Sequence, residues 1–205
     1  MNANKITKTS EVTNLLENCF NELNKDFYNN ALPKPIITIE GTNKAYGHYT
    51  LYDAWNVGDE PRREINISSY DINRPREKVI ATLLHEMTHM YNDLILGVKD
   101  CSNRNRYHNK LFKKAAEAHG LICEYDKVIG WSHTSPNEEL LEWINAHPKY
   151  KDFELVKNNI ETKKAKPNKK PNRYKFTYTC PQCGCELKAT ARIKAICVRC
   201  KQQML

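Results

Sequence analysis

Apolar residues recur every three to four positions in four stretches of the chain, the pattern of helices that bury one face. The first stretch covers residues 10–29, and the longest covers residues 75–96. A third helix is predicted over residues 109–118. The sequence Ser135-Pro136-Asn137-Glu138 is interpreted as a capping box with proline at the first helical position, so a fourth helix should begin there.

Between the first two predicted helices the pattern changes to short stretches rich in β-branched and aromatic residues, which indicate strands. These stretches cover residues 36–40, 45–51 and 63–69, and glycine and asparagine residues separate them. The connections are too short for helical crossovers, so we expect an antiparallel sheet. The predicted fold is therefore α+β, with helices packed on a small antiparallel sheet.

The predicted long helix carries the sequence His85-Glu86-Met87-Thr88-His89. Residues four apart lie on one face of a helix, so both imidazoles can reach one metal ion. Glu86, beside the first histidine, can take a proton from a water at that metal. A chance match on a purely structural helix is the alternative interpretation.

A catalytic zinc ion needs three protein ligands and one open position, so a third ligand is expected downstream. The candidates are His108, His119, His133, Glu117 and Glu124. We favour His108, because it stands directly before the predicted third helix and a tight loop can bring it to the first two histidines. His119 follows that helix, where a histidine most simply caps the C-terminus or packs against it.

The C-terminal part of the chain contains two Cys-x-x-Cys pairs separated by thirteen residues. The chain has eight cysteines, and the paired spacing favours metal over disulfides. Four thiolates leave no open position, so this zinc should be structural. Cys185 is an extra thiol, either a bystander or a substitute for Cys183. The predicted ligands of this zinc ribbon are Cys180, Cys183, Cys197 and Cys200.

The charge of the chain is unevenly distributed. The net charge is +8, yet residues 157–175 alone hold eight lysines and arginines against one glutamate. A basic tract of this kind favours nucleic acid as a partner, although a solvated linker is the alternative. The candidate nucleic-acid contacts are Lys163, Lys164, Lys166, Lys169, Lys170, Arg173, Lys175, Lys188, Arg192 and Lys194.

Length and composition suit one ordinary domain with an appendage, because the chain has 205 residues. The predicted organisation is a main domain over residues 1–156, a basic linker over 157–173 and a zinc ribbon over 174–205. No apolar stretch approaches the ~20 residues that span a bilayer, and the N-terminus lacks the features of a secretory signal. We therefore expect a cytoplasmic protein without a membrane partner.

Several of these motifs together resemble the SprT-like family of zinc metallopeptidase domains. The resemblance rests on G-H-Y and I-N-I-S in successive predicted strands, LLHEMTHMYNDL in the long helix, and a later histidine followed closely by phenylalanine. It covers residues 10–135 and implies that His85, His89 and His108 bind zinc and that Glu86 is catalytic. The eighteen residues between His89 and His108 form a longer loop than is typical of the family. Several bacterial members also carry a C-terminal zinc ribbon.

The resemblance implies a zinc-dependent metallopeptidase with one catalytic and one structural Zn²⁺ and a protein substrate. Spartan-type members of the family cleave proteins crosslinked to DNA, which suggests DNA-associated or DNA-crosslinked proteins as substrates here. The rival interpretation is a noncatalytic zinc-containing DNA-binding protein. Glu86 separates the two, because a purely structural metal site has no use for a carboxylate beside its first ligand.

Overall fold

The computed structural model of the chain describes residues 8–42, 45–151 and 176–205. It divides the chain into two compact units, Met1–Asn158 and Asn159–Leu205. The predicted linker, residues 157–173, lies outside the described residues, so its role stays a prediction. Among the residues described, no helix has the length and apolar character needed to cross a bilayer.

The helices of the first unit follow the predicted periodicity. Helix α1 buries Phe20 and Leu23 on one face, and helix α2 is buried along most of its length because it lies between α1 and the strands. The predicted ends differ from the observed ones by one or two residues. The helices are α1 (Thr9–Tyr28), α2 (Arg76–Leu94), α3 (Lys110–Ala118), α4 (Glu138–Ala146) and the short α5 (Pro148–Lys151).

The predicted strands form a small sheet whose pairing is mixed rather than antiparallel. Its members are β1 (Ile36–Thr38), β2 (Gly47–Tyr49) and β5 (Glu64–Ile67), in the order β1-β5-β2. Strand β5 is antiparallel to β2 but parallel to β1. The prediction of an antiparallel sheet is wrong for the β1–β5 pair, because β5 inserts between two strands that run in opposite directions. The hairpin β3 (Trp55–Val57) and β4 (Glu60–Arg62) lies in the connection between β2 and β5.

A second sheet of four strands lies next to α2 and α3 and was not predicted from the sequence. Its strands, in the order β6-β7-β9-β8, are β6 (Cys101–Ser102), β7 (Tyr107–His108), β8 (Leu121–Asp126) and β9 (Gly130–Pro136). Strand β7 pairs with β9 in parallel through His108 and Gly130. Gly130 has a φ of +68°, and a Cβ there would clash with the carbonyl oxygen of His108. Only glycine allows this close approach, which holds His108 in the sheet.

The predicted capping box at the start of α4 is wrong in its register. Ser135 and Pro136 are the last residues of β9, and Asn137 is the N-cap. The Asn137 side chain accepts a hydrogen bond of 2.9 Å from the backbone N–H of Leu140. The pairing of β9 with β8 therefore extends the strand through the proline and delays the helix.

The core of the first unit is formed where α1, α2, α3 and the strands meet. Because α2 contributes apolar side chains to this core along its length, its position is set on several sides at once. The largest fully buried side chains in this unit include Phe20, Leu23, Ile65, Ile67, Leu83, Leu84, Met87, Met90, Phe112, Leu121 and Leu140.

The C-terminal unit is built on the antiparallel hairpin β10 (Phe176–Thr179) and β11 (Glu186–Ala189). Leu205 pairs with the end of β10, since Leu205 and Thr179 exchange backbone hydrogen bonds of 2.7 and 3.0 Å. Among the residues of this unit that the structure describes, the buried apolar ones are Cys180, Ala195, Cys197 and Met204. Two of these four are predicted metal ligands, so the core of the unit consists in part of its own cysteines.

Candidate active site and metal centres

Helix α2 and strand β7 bring three imidazole nitrogens to one point. His85 and His89 lie one turn apart on α2, and His108 ends β7 just before α3. The Nε2 atoms are separated by 3.1 Å between His85 and His108, 3.2 Å between His85 and His89, and 3.1 Å between His89 and His108. We call these three residues the histidine cluster. Within the described residues they form a group able to hold a metal ion.

The outer nitrogens of two of these rings are hydrogen-bonded, and for His89 the bond determines which nitrogen carries the proton. Nδ1 of His89 lies 2.8 Å from a carboxylate oxygen of Asp100, and Nδ1 of His85 lies 3.0 Å from the hydroxyl of Thr134. A carboxylate can only accept, so Nδ1 of His89 carries the proton and Nε2 of a neutral His89 carries a lone pair. Three imidazole nitrogens this close suit a cation held by bonds of ~2.0–2.1 Å, and the donor set matches zinc.

The electrostatics of the histidine cluster favour neutral rings at two positions. Burial lowers the pKa of His85 well below its usual value, and His89 and His108 lower it further. Burial also lowers the pKa of His108 to about 4. For His89, burial again opposes the charged form, but the hydrogen bond and charge of Asp100 outweigh it and raise the pKa. Neutral imidazole is the form that binds metal.

The ring of Phe112, in α3, packs against all three imidazoles of the histidine cluster. Its ring centroid lies 4.6 Å from the centroid of each of the three imidazoles, and the side chain is fully buried. The helix that carries it begins at Asn109, whose side chain caps the backbone N–H groups of Leu111 and Phe112 at 2.7 and 3.3 Å. The ring therefore restricts all three imidazoles at once.

Glu86 lies beside the histidine cluster, next to the edge of strand β2. Its side chain is 5% exposed, and burial raises its pKa to about 7, although the nearby His89 lowers it. The backbone amide of Tyr49 also lowers the pKa of this carboxyl group, because it favours the ionised form. A carboxyl group with a pKa near neutrality can both accept and return a proton.

The histidine cluster and Glu86 line an open cleft of about 1060 Å³. Tyr46, Tyr49 and Tyr70 lie along this cleft, together with Ile129 and His133. The volume lies slightly above the range of ~300–1,000 Å³ that is usual for small-molecule pockets. A site with three candidate ligands, a buried carboxyl group and an accessible cleft has the parts needed for hydrolysis at a metal.

In the part of the chain that the structure describes, the other candidates for the third ligand do not join the histidine cluster. His119 is the C-cap of α3, where its Nδ1 lies 2.6 Å from the carbonyl oxygen of Ala115 and its ring stacks on Tyr28 with centroids 4.1 Å apart. This is the capping and packing role that its position suggested. Glu117, Glu124 and His133 belong to no metal-binding group in the part of the chain that the structure describes.

In the second unit the structure brings together Cys180, Cys183, Cys197 and Cys200, with ligand atoms within 4.8 Å of one another. We call these four residues the cysteine cluster. The Sγ atoms of Cys183 and Cys197 are 3.7 Å apart. The fifth thiol, Cys185, lies 3.6 Å from Sγ of Cys197. Cys185 therefore lies directly beside the cysteine cluster, within reach of the position that Cys183 occupies.

The two Cys-x-x-Cys turns of the cysteine cluster repeat one backbone pattern. The carbonyl oxygens of Cys180 and Cys197 accept from the backbone N–H four residues on, at Gly184 (2.9 Å) and Lys201 (2.7 Å). Both of those residues have positive φ, 69° and 53°. In the first turn, the backbone N–H of Cys185 lowers the pKa of Cys183 to about 6. Amides directed at a thiolate favour the form that binds metal.

The predicted nucleic-acid contacts are only partly described by the structure. Lys188, Arg192 and Lys194 lie on the second unit and are exposed. The others, Lys163, Lys164, Lys166, Lys169, Lys170, Arg173 and Lys175, lie outside the described residues.

Asp100 and Thr134 were not identified from the sequence as parts of the site. Asp100 lies in the loop before β6, and Thr134 lies in β9, far from the histidines along the chain. Their hydrogen bonds to the histidine cluster depend on the second sheet, which no periodicity indicated. An acidic residue in the loop between the second and third ligands was the one available signal.

Comparison with known proteins supports the interpretation of the first unit. No curated protein and no solved structure matches the chain. The model of the SprT-like family, whose domains are generally zinc metallopeptidase-like, matches residues 16–125, more than half of the chain. The matched range contains His85, Glu86, His89 and His108. The resemblance found in the sequence motifs is thereby confirmed, and the chain belongs to the SprT-like family.

Proposed function

We propose that this chain is a zinc-dependent metallopeptidase in which His85, His89 and His108 hold the catalytic zinc and Glu86 is the general base. The observation that carries the proposal is the convergence of three Nε2 atoms at 3.1–3.2 Å beside a buried carboxyl group in an open cleft. When bound, zinc would polarise a water molecule and lower its pKa toward ~7. Family membership supports the same chemistry.

The residues of the chain divide the remaining work. The carboxylate of Glu86 accepts a proton from the attacking water and returns it to the leaving nitrogen of the cleaved peptide bond. Its pKa of about 7 in the metal-free site falls when a cation binds nearby, because positive charge favours the ionised form. Asp100 holds the ring of His89 in place, and Thr134 holds the ring of His85.

The shape of the site supports a polypeptide substrate. The cleft of about 1060 Å³ is open to solvent and is lined on one side by tyrosines, including Tyr46 and Tyr70, which are 57% and 55% exposed. An extended segment of a protein can lie along such a cleft with its peptide bond near the histidine cluster. We propose DNA-associated or DNA-crosslinked proteins as the substrate class, since a basic tract accompanies the catalytic unit.

For the second unit we propose that the cysteine cluster holds a structural zinc and that the unit contacts nucleic acid. Lys188, Arg192 and Lys194 are exposed on it, and the guanidinium of Arg192 lies 5.7 Å from the ring centroid of Phe176. Cations beside aromatic rings suit the backbone and bases of single strands. The basic residues 157–175 would add further phosphate contacts.

The catalytic proposal is tested with Glu86→Gln, which preserves the shape of the side chain and removes the base. Cleavage of a denatured protein substrate should fall by ~10²-fold or more, the usual size of a general-base contribution. The zinc content of the histidine cluster should not change. Undiminished proteolysis would contradict the mechanism, and zinc binding without any proteolysis in the unmodified protein would favour the noncatalytic alternative.

The nucleic-acid proposal is tested by the salt dependence of binding to labelled single- and double-stranded oligonucleotides. Six engaged cations should weaken duplex binding by roughly 10³ between 50 and 200 mM salt, because each neutralised phosphate contributes a log–log slope of about −0.9. In the full chain, replacing Lys188, Arg192 and Lys194 together by glutamine should flatten the slope. Affinity that is independent of salt would show that the basic tract is only a solvated spacer.

A further inference from the structure

Asp100 accepts hydrogen bonds from two groups of helix α2. Its Oδ2 atom lies 2.8 Å from Nδ1 of His89 and accepts a second hydrogen bond of 2.9 Å from the side-chain amide of Asn92. Asp100 is 7% exposed and Asn92 is fully buried. A nearly buried carboxylate held by two donors has little freedom to turn away from the imidazole.

The backbone of Asp100 also contacts the segment that carries His108, the third member of the histidine cluster. Its carbonyl oxygen accepts a hydrogen bond of 2.9 Å from the backbone N–H of Asn109, the residue that follows His108. Strand β6 begins directly after Asp100 and pairs with β7, where Cys101 lies opposite His108. Asp100 therefore contacts α2 through its side chain and the His108 segment through its backbone.

We propose that Asp100 is a positioning residue of the metal centre, which orients His89 relative to His108 and raises the affinity of the histidine cluster for a divalent cation. The inference rests on the proposed function in so far as the cluster binds zinc. A carboxylate on the outer nitrogen fixes the tautomer of a ligating histidine and makes it more basic. Removal of such a partner typically costs 10–100-fold in metal affinity.

The test measures the zinc affinity of the full chain by competition with a chelator, and assigns the site as the one that His108→Ala loses. Asp100→Asn should weaken zinc binding at that site by ~10–100-fold. The matched control is Asp93→Asn, since Asp93 lines the same cleft but its carboxylate accepts from the Tyr49 hydroxyl at 2.7 Å. The zinc affinity of this control should stay within about threefold of that of the unmodified protein, well short of the loss expected for Asp100→Asn.

The outcomes separate this inference from the proposed function. If the unmodified chain binds no zinc at the histidine cluster, the proposed function fails. If it binds zinc and Asp100→Asn binds equally well, or Asp93→Asn is weakened as much, only the positioning role of Asp100 is overturned. Should Asp100→Asn not fold, Asp100→Glu serves instead. Its longer arm displaces the carboxylate, so reduced affinity is expected and unchanged affinity overturns the proposal.

A second, independent observation concerns Gly47 in strand β2. A Cβ atom there would lie 2.8 Å from the backbone oxygen of Asn66, 3.0 Å from Oε1 of Glu86 and 3.1 Å from the methyl group of Thr82. Distances this short require the neighbours to move. The strand therefore approaches helix α2 more closely than a residue with a side chain allows.

The close approach of β2 to α2 brings the backbone amide of Tyr49 to Glu86. Strand β2 is at the edge of its sheet, and the residues that flank it bond inward, Thr50 to Glu64 and Tyr46 to Ser68. Because backbone groups alternate in direction along a strand, the N–H of Tyr49 points away from the sheet. The Tyr49 amide lowers the pKa of Glu86, since it favours the ionised carboxylate. We infer that Gly47 is a positioning residue for the proposed general base, because its missing side chain lets β2 hold the Glu86 carboxylate.

The test is a double-mutant cycle of Gly47→Ala and Glu86→Gln in the full chain. Gly47→Ala should lower kcat by about tenfold or more while KM and zinc content change little, as a general-base contribution is lost. In the Glu86→Gln background the same change should have no further effect, since residues that act through one another are not additive. Losses that multiply, or an unchanged kcat, overturn the inference.

The chain offers a matched glycine control. Gly58 lies in the turn between β3 and β4, and a Cβ there would meet nothing within 4 Å. Because its φ is +62°, Gly58→Ala strains the turn but should retain kcat. If Gly47→Ala does not fold, combining it with Thr82→Ser removes the methyl group at 3.1 Å, and the same cycle is measured in that background. Absence of proteolysis in the unmodified chain would count against the proposed function rather than against Gly47.

Discussion

The histidine cluster and the cysteine cluster depend on very different amounts of surrounding core. The histidines are carried by elements that pack into the large core of the first unit, with Phe112 beneath all three rings. Among the described residues of the second unit, the buried apolar ones are Cys180, Ala195, Cys197 and Met204, so two candidate ligands are themselves half of the core. A metal should therefore add function to the first unit, whereas it should supply most of the stability of the second.

The largest expected effect is the loss of the second unit's fold when its zinc is lost. Cys197→Ala should abolish one zinc and unfold residues 176–205, because structural zinc contributes an apparent ~10–16 kcal/mol in small zinc-binding units. Limited proteolysis and zinc analysis of the full chain measure this. Tryptophan fluorescence should not change, since Trp55, Trp131 and Trp143 all belong to the first unit.

The reciprocal variant completes that comparison. His108→Ala should lose the other zinc and leave residues 176–205 resistant to proteolysis, and His119→Ala should lose neither metal. If Cys197→Ala emptied both clusters, or His119→Ala emptied the histidine cluster, the assignment of two separable sites would be wrong.

A smaller but still large effect is expected at Phe112, which links the core to the histidine cluster. Phe112→Ala should destabilise the first unit by about 3–5 kcal/mol, the usual cost of removing a fully buried aromatic side chain. Chemical denaturation followed by tryptophan fluorescence measures the loss. Leu111→Ala is the matched control, because Leu111 is the preceding residue and is 47% exposed. Similar losses for both variants would show that Phe112 has no special supporting role.

Burial of the Glu86 carboxyl group should make the free energy of unfolding depend on pH. The expected change is about 3 kcal/mol, since each unit of pKa difference between the folded and unfolded states is worth 1.36 kcal/mol. The pKa rises from 4.5 to about 7 on folding, so between these values the folded state holds a proton that the unfolded state has released. The metal-free protein should therefore lose stability from this group as pH rises through that window. Glu86→Gln lacks the group.

The measurement is urea unfolding of both proteins in the presence of a chelator, followed by tryptophan fluorescence. The variant should gain stability relative to the unmodified protein between pH 4.5 and 7, and the difference should be constant above pH 7. If the difference in unfolding free energy between the two proteins did not vary with pH, the pKa of Glu86 would not be raised on folding.

The smallest predicted effect compares two helix caps. Asn109 caps α3 next to His108, and Asn137 caps α4 away from the histidine cluster. Replacing either by alanine should cost about 1 kcal/mol of stability, the usual cost of losing an asparagine N-cap. Only Asn109→Ala should also weaken zinc binding, because it loosens the segment that carries His108. Equal zinc affinities in the two variants would separate the cap from the metal centre.

The helices α1 to α3 and the position of His85, Glu86 and His89 followed from the sequence, because helical periodicity and the spacing of four residues are local properties. The second sheet did not follow, since its strands are short and two of them, β6 and β7, have only two residues each. Such strands exist because they pair with distant parts of the chain. The parallel pairing of β1 with β5 was missed for the same reason.

By itself, then, the sequence determined which residues could share a helix face, which cysteines could form paired turns, and that the fold is α+β. The sequence favoured His108 among five candidates for the third ligand, but only the tertiary structure, through the β7–β9 pairing, brings it to His85 and His89. The tertiary structure also decided that Asp100 meets His89 and that Gly47 lies against Glu86. Local spacing limits the orientation of neighbouring residues, whereas contacts between distant residues arise only when the core and the sheets are assembled.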